Sequence, residues 1–189
     1  MAVANSKTRE KFPLSPKKVI KKTIAGTIVW VILLLVVYGF AAFMSITLAS
    51  TFGSYLGLIT IGTFGFLFVV ILLTYLYQQW YYNVYFYDLT PDYIVIKKGP
   101  ITPREITIPY ERIQDIYVDQ DILDRMFGLY DVHLSSATVS SGMEAHIDGV
   151  EKQAADGLRA LLLQTVSQRI SKSKGQSVLQ NTPSQNQSS

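Results

Sequence analysis

The chain of 189 residues contains no cysteine. Disulfide bonds, thiolate metal sites and cysteine nucleophiles are therefore excluded. Histidine is also scarce: His133 and His146 are the only two, too few for a histidine-based metal site. No spacing typical of a catalytic, nucleotide-binding or nucleic-acid-binding motif is present. We therefore expect no enzyme activity, no metal or cofactor, no small-molecule substrate and no nucleic-acid partner.

Charge is missing from one long stretch. Residues 23–87 are 65 consecutive positions without Asp, Glu, Lys, Arg or His. A helix needs roughly 20 apolar residues to cross the hydrocarbon core, so this stretch is long enough for two crossings. We predict a transmembrane hairpin over 23–79, with helices at about 23–50 and 57–79 and a short Gly/Ser-rich connector between them. Spans without ionisable residues make a pore or transporter the weakest hypothesis.

The positive charge is concentrated before the first span. Residues 1–22 form a basic arm with seven basic residues and one acid, whereas residues 88–189 hold ten basic and thirteen acidic residues. Positive charge beside a span favours the cytoplasmic side, so we predict a cell-membrane protein with two spans and both termini in the cytoplasm. The residues expected to anchor it at the membrane interface are Lys17, Lys18, Lys21, Lys22, Trp80, Tyr81 and Tyr82.

From residue 80 the hydrophobic pattern changes from long runs to short alternating segments. Alternation at 82–87, the β-rich run at 93–96 and further short runs separated by Gly and Pro predict antiparallel strands. A short helix ending at Gly128 and an amphipathic helix from Val150 to about Ile170 complete a cytoplasmic domain at 80–170. The polar tail, 171–189, is predicted to be disordered. The fold class is therefore an α+β membrane protein, in which a small β-sandwich or barrel is capped by a C-terminal helix.

Two segments carry a family resemblance. The segment 108–116, IPYERIQDI, followed by 123–129, LDRMFGL, resembles the bacterial pleckstrin-homology-like membrane domain, the YdbS/YdbT-like or DUF304 family. The resemblance covers roughly residues 25–168. It implies a PH-like fold, a bent sandwich of about seven strands capped by a C-terminal helix. Members of this family mostly lack a defined biochemical activity, so the resemblance implies little about function.

The remaining function classes are interaction modules. Our first hypothesis is a membrane-anchored scaffold or accessory subunit, whose acidic domain binds a basic protein partner or another copy of itself. The alternative is a peripheral sensor of anionic lipid headgroups in the bilayer. The residues predicted to contact lipid or partner are Lys97, Lys98, Arg104 and Arg112. Each also has a simpler interpretation, as a solvated turn charge or, for Arg112, as an ion pair or rim charge beside Glu111 and Asp115.

Overall fold

The structure is a computed structural model that describes residues 6–47, 56–136 and 145–180. It forms two compact units. One consists of Pro16–Asn83, and the other joins the residues up to Ser15 to those from Val84 onward. This division differs from the predicted one, because residues 6–15 belong with the β-rich domain and not with a separate arm. The predicted connector STFGSY, residues 50–55, and the last nine residues of the predicted tail lie outside the described residues.

The first unit contains two long apolar helices, α2 (Lys17–Thr47) and α3 (Leu56–Val84). Both are long and apolar enough to span a membrane. They pack antiparallel: Gly26 lies against Thr74, and the Thr60 hydroxyl donates to the Tyr38 hydroxyl at 3.3 Å. At Gly39 the two helices are not in close contact, since no described atom of a neighbouring element lies within 4 Å of a Cβ built there.

α3 continues five residues beyond its predicted end at residue 79 and replaces the start of the strand expected at 82–87. No proline or glycine follows Gly65 until after the helix ends at Val84, so nothing in the sequence interrupts the backbone ladder earlier. The aromatic alternation at 82–87 resembled a strand because its last residues, which follow the end of the helix, already belong to the β-rich domain.

The second unit contains two three-stranded antiparallel sheets, in the orders β1-β2-β3 and β4-β5-β6. Their strands are β1 (Phe86–Leu89), β2 (Tyr93–Lys98), β3 (Arg104–Pro109), β4 (Ile113–Asp119), β5 (Leu129–Ser136) and β6 (Ala145–Glu151). Each strand pairs with its neighbour in sequence, for example Ile94 with Ile108 and Val118 with Val132. The described residues thus contain six strands, where the family resemblance implied about seven.

Alternation along the strands explains the core. Inward positions of both sheets are fully buried, among them Ile96, Leu134 and Ile147, while the positions between them are more exposed. The C-terminal helix α5 (Lys152–Gln180) closes the core with Ala155, Leu158 and Leu162. α5 extends ten residues beyond its predicted end at Ile170, into the segment predicted to be disordered. From the start of α5 the sequence holds no proline before Pro183, and the single Gly175 is tolerated inside a helix.

The short helix α4 (Ile122–Phe127) has a complete local signature. Asp121 accepts from the Asp124 backbone N–H at 2.7 Å, and the Asp124 carboxylate accepts in return from the Asp121 N–H, which forms a capping box. Gly128 ends the helix at φ 68°, as predicted. Asp124 is fully buried. Ile122 and Met126 are mostly exposed, at 82% and 74%.

Residues 6–15 form a segment that packs on the domain, and we refer to it as the N-terminal strap. It contains the helix α1 (Lys7–Lys11). The Ser6 hydroxyl donates to the Tyr87 carbonyl, and the Tyr87 hydroxyl donates to the Phe12 carbonyl. Leu14 bridges to Val150 of β6, so the strap covers part of the β6 edge.

Candidate interaction surfaces

The first candidate surface is the outer edge of β4. Among the described residues, β4 pairs only with β5, so it is an edge strand. Ile113 and Ile116 point into the core, whereas Gln114, Asp115 and Tyr117 are exposed. An edge strand presents backbone N–H and C=O groups that another strand can use.

Asp115 partly protects this edge. Its carboxylate accepts from the Ile116 N–H at 2.9 Å. Successive residues of an antiparallel strand point their backbone groups to opposite sides, so the Val118 N–H lies on the same outward side as that of Ile116. The Ile116 N–H, one of these two outward donors, is therefore satisfied within the chain. The Asp115 carboxylate also adds a negative charge at the edge.

A row of three rings crosses the β4-β5-β6 sheet on the face opposite the core. Tyr117, His133 and His146 are cross-strand partners, with ring centroids 4.8 and 5.5 Å apart. Asp119 contacts His133 Nε2 at 3.0 Å. Stacking and this contact hold the His133 ring in one orientation. The sequence predicted strands at both histidines but not the row, since the register of the strands was unknown.

Asp119, Asp131 and His133 bring their potential ligand atoms within 4.8 Å of one another. Nitrogen and carboxylate oxygen are metal-ligating atoms. However, Asp131 accepts from the Gly149 N–H at 2.7 Å, where the β6 backbone has a φ of 80°, and Asp119 pairs with His133. The geometry is thus accounted for by contacts that stabilise the sheet.

The second candidate surface is the β2–β3 hairpin, which contains three of the four predicted contact residues. Lys97 forms an ion pair with Glu105 at 3.0 Å. Lys98 and Arg104 are directly opposite each other in the strand register. The hairpin turn between them therefore brings the three cations together, as the sequence predicted from their spacing. Whether they contact a lipid or a partner remains a prediction.

Arg112, the fourth predicted contact residue, lies apart from the hairpin. It is exposed on the 3₁₀ turn Tyr110–Arg112, immediately before β4. Within the described residues it forms no ion pair with Glu111 or Asp115. Arg112 is therefore a rim charge at the β4 edge.

The turn between β1 and β2 has a structural role in the described residues. Asp88 accepts from the Ser6 hydroxyl at 2.9 Å and from the Thr8 N–H at 3.3 Å, which fixes the strap. Asp92 forms an ion pair with Arg169 of α5. The sequence could have signalled the strap through Phe12 and Leu14, two apolar residues in an otherwise basic segment, but not its docking position.

Below this turn lies a buried tyrosine. The Tyr110 hydroxyl donates to the Thr90 carbonyl at 2.8 Å. Burial, with a smaller contribution from the Asp88 carboxylate, raises the pKa of Tyr110 from 10.0 to about 12. Tyr110 therefore stays neutral and acts as a hydrogen-bond donor that ties the 3₁₀ turn to the β1–β2 turn.

The predicted interface anchors lie in different environments. Lys17 is exposed and Lys22 is partly exposed, whereas Lys18 and Lys21 are 2% exposed. Trp80 is half-exposed, and Tyr81 and Tyr82 are intermediate, near the end of α3. That these residues anchor the protein at the membrane interface stays a prediction.

Comparison with known proteins gives one match. The family model described as "Bacterial PH domain" matches residues 20–166. No curated protein and no solved structure matches the chain. The matched range covers both apolar helices, the two sheets and the beginning of α5.

Proposed function

The chain belongs to the bacterial PH domain family, and from this premise we propose that it is a membrane-anchored interaction module whose domain binds a basic protein partner at the cytoplasmic membrane face. The family supports an interaction module, since PH-like domains are generally non-catalytic. The narrower YdbS/YdbT-like assignment stays a prediction.

The exposure of α2 and α3 supports insertion into a bilayer. Large apolar side chains along both helices are open to the surroundings, for example Ile46 at 79% and Ile61 at 73%. In water, such exposure is unfavourable by about 25 cal/mol for each Å² of apolar surface. In a bilayer the same surface contacts lipid, and the helical backbone satisfies its own hydrogen bonds.

The strap supports two crossings with both ends on one side. The Ser15 N–H donates to the Gly149 carbonyl at 2.9 Å, so the residue before α2 and the domain after α3 share one compartment. An even number of crossings must separate them, and two helices are available. The basic residues of the strap support the cytoplasm as that compartment, by the positive-inside rule.

The exposed edge of β4 is the observation on which we base partner binding. It combines unpaired strand geometry among the described residues with exposed Asp115 and Asp119 on the same strand. A partner strand with basic side chains would gain backbone hydrogen bonds and complementary charge. Another copy of this chain is the alternative occupant, while headgroup sensing by the basic arm has less support because the strap is packed on the domain.

The test is quantitative capture of the partner with a matched charge control. Full-length protein is purified from its native membrane in mild detergent, and bound proteins are measured by mass spectrometry. Asp115→Arg should reduce capture of the partner at least about fivefold, the effect of losing one charge contact. Asp156→Arg makes the same charge change on an exposed position of α5 and should leave capture unchanged. Equal capture by both folded variants, or recovery of the protein alone, contradicts the proposal.

A further inference from the structure

We propose that the tip of the β2–β3 hairpin docks on an anionic membrane surface, with Ile101 inserted among the lipids and Lys97, Lys98 and Arg104 facing the headgroups. This contact lies on a different sheet from the β4 edge and does not depend on partner binding there. The proposed contact is between the hairpin tip and membrane lipid.

The tip presents an apolar side chain with no cover in the described structure. Ile101 is 68% exposed. Its neighbours Thr102 and Pro103 are exposed as well. An exposed isoleucine alone needs no explanation, so the argument rests on what surrounds it.

The tip has a constrained backbone. Gly99 has φ 98°, and a Cβ there would collide with the Thr102 carbonyl oxygen. Pro100 and Pro103 fix two further φ angles. A constrained tip holds Ile101 outward without a further ordering cost on docking.

The strand register places like charges together. Lys98 and Arg104 are directly opposite each other on the last pair of the hairpin. Two positive side chains therefore lie next to the tip that carries Ile101, and both are attracted by a negatively charged surface.

The charge of the hairpin contrasts with that of the domain around it. Residues 97–105 hold three basic residues and one acid, whereas the other positions of the same unit, including the strap, hold ten basic and thirteen acidic residues. An anionic membrane therefore repels most of the domain and attracts this hairpin. This contrast favours contact with the membrane through the hairpin alone. A lipid surface fits the hairpin better than an acidic protein does, because the membrane also supplies an apolar phase for Ile101.

The β1–β2 turn offers no equivalent contact. It carries Asp88 and Asp92, which hold the strap and Arg169. The membrane contact is therefore expected on the β2–β3 hairpin alone among the described turns of this sheet.

The experiment uses the absence of native cysteine. Ile101→Cys in the full-length protein is labelled with an environment-sensitive fluorophore, and the protein is placed in nanodiscs of neutral phosphatidylcholine or of phosphatidylcholine with phosphatidylglycerol. We expect a blue-shifted emission in the anionic nanodiscs, quenched by spin-labelled lipid and reversed in about 1 M salt, where the Debye length is about 3 Å. Ile122→Cys, an exposed isoleucine beside the Asp121 cap, is the matched control and should stay water-like.

Charge variants identify the source of the effect. Each cation near an anionic surface contributes about fivefold to the docking equilibrium, so Lys98→Glu with Arg104→Glu should abolish the shift. Lys152→Glu with Arg159→Glu changes the same charge on exposed positions of α5 and should preserve it. Water-like emission at position 101 in anionic nanodiscs refutes the proposal. A shift that is independent of lipid charge, or that spin-labelled lipid does not quench, also refutes it and indicates contact with protein.

Discussion

At the scale of single residues, a few polar side chains hold the turns of the domain in place. Tyr110 joins the 3₁₀ turn to the Thr90 carbonyl, and Asp124 caps α4 while fully buried. Both are polar groups in an apolar environment, where an unsatisfied group costs about 1–3 kcal/mol. The sequence around these residues indicated the turns. It did not indicate that Tyr110 and Asp124 are buried, because burial depends on which strands pack over them.

Tyr110 gives a pH-dependent prediction. The pKa of Tyr110 is about 12 in the folded protein, against 10.0 for an unperturbed tyrosine in the unfolded chain. The unfolded state therefore loses its proton first as the pH rises, and stability that is fully present below pH 10 is lost between pH 10 and 12. Thermal unfolding of the detergent-solubilised protein should show wild type more stable than Tyr110→Phe below pH 10, with the difference shrinking above it.

The matched control for this titration is Tyr93→Phe, which removes the hydroxyl of a tyrosine that is 39% exposed. This variant should keep the same pH slope as wild type. If Tyr110→Phe also keeps the wild-type slope above pH 10, the raised pKa of Tyr110 is refuted.

At the scale of elements, the sequence predicted local patterns better than the contacts between distant segments. Alternation and turn residues indicated β2 and β3, and the Gly128 stop indicated the end of α4. The strap was not predicted, because its contacts with β1, β6 and α5 join residues more than 70 positions apart. The β4 edge and its ring row likewise depend on a register that a single strand does not encode.

The strap contact at Gly157 gives a double-mutant prediction. A Cβ at Gly157 would overlap the Phe12 ring, so Gly157→Ala should destabilise the protein although alanine favours helices. Phe12→Ala removes a side chain that is 9% exposed and should lower the unfolding free energy by about 3 kcal/mol. In the Phe12→Ala background, Gly157→Ala should become stabilising by up to about 1 kcal/mol.

Thermal and denaturant unfolding of the four proteins in detergent measure this cycle. Pro13→Ala, at an exposed neighbour of Phe12 in the strap, serves as a control for changes that leave the contact intact. Additive effects of the two substitutions mean that Phe12 and Gly157 do not touch, and the docking of the strap is then wrong.

At the scale of the whole molecule, the docking of the strap on the domain limits how the two apolar helices can cross a membrane. The chain contacts the domain at Ser15, enters α2 at Lys17, leaves α3 at Val84 and re-enters the domain at β1. The uncharged stretch predicted the two helices. The family match supports the domain that follows these helices along the chain. Within the described parts of the chain, the long-range hydrogen bonds of the strap support the proposal that both ends of the segment with the two apolar helices lie in one compartment.

This link makes topology directly testable, since every introduced cysteine is the only one in the chain. Pro13→Cys and Gln168→Cys lie at exposed positions of the strap and α5, and Ser54→Cys lies in the sequence between the two helices. With two crossings, a membrane-impermeant maleimide should label position 54 in intact cells and positions 13 and 168 only after permeabilisation. The packed strap requires positions 13 and 168 to behave alike whatever the orientation. Different labelling at those two positions means an odd number of crossings, which the hydrogen bond between Ser15 and Gly149 does not permit.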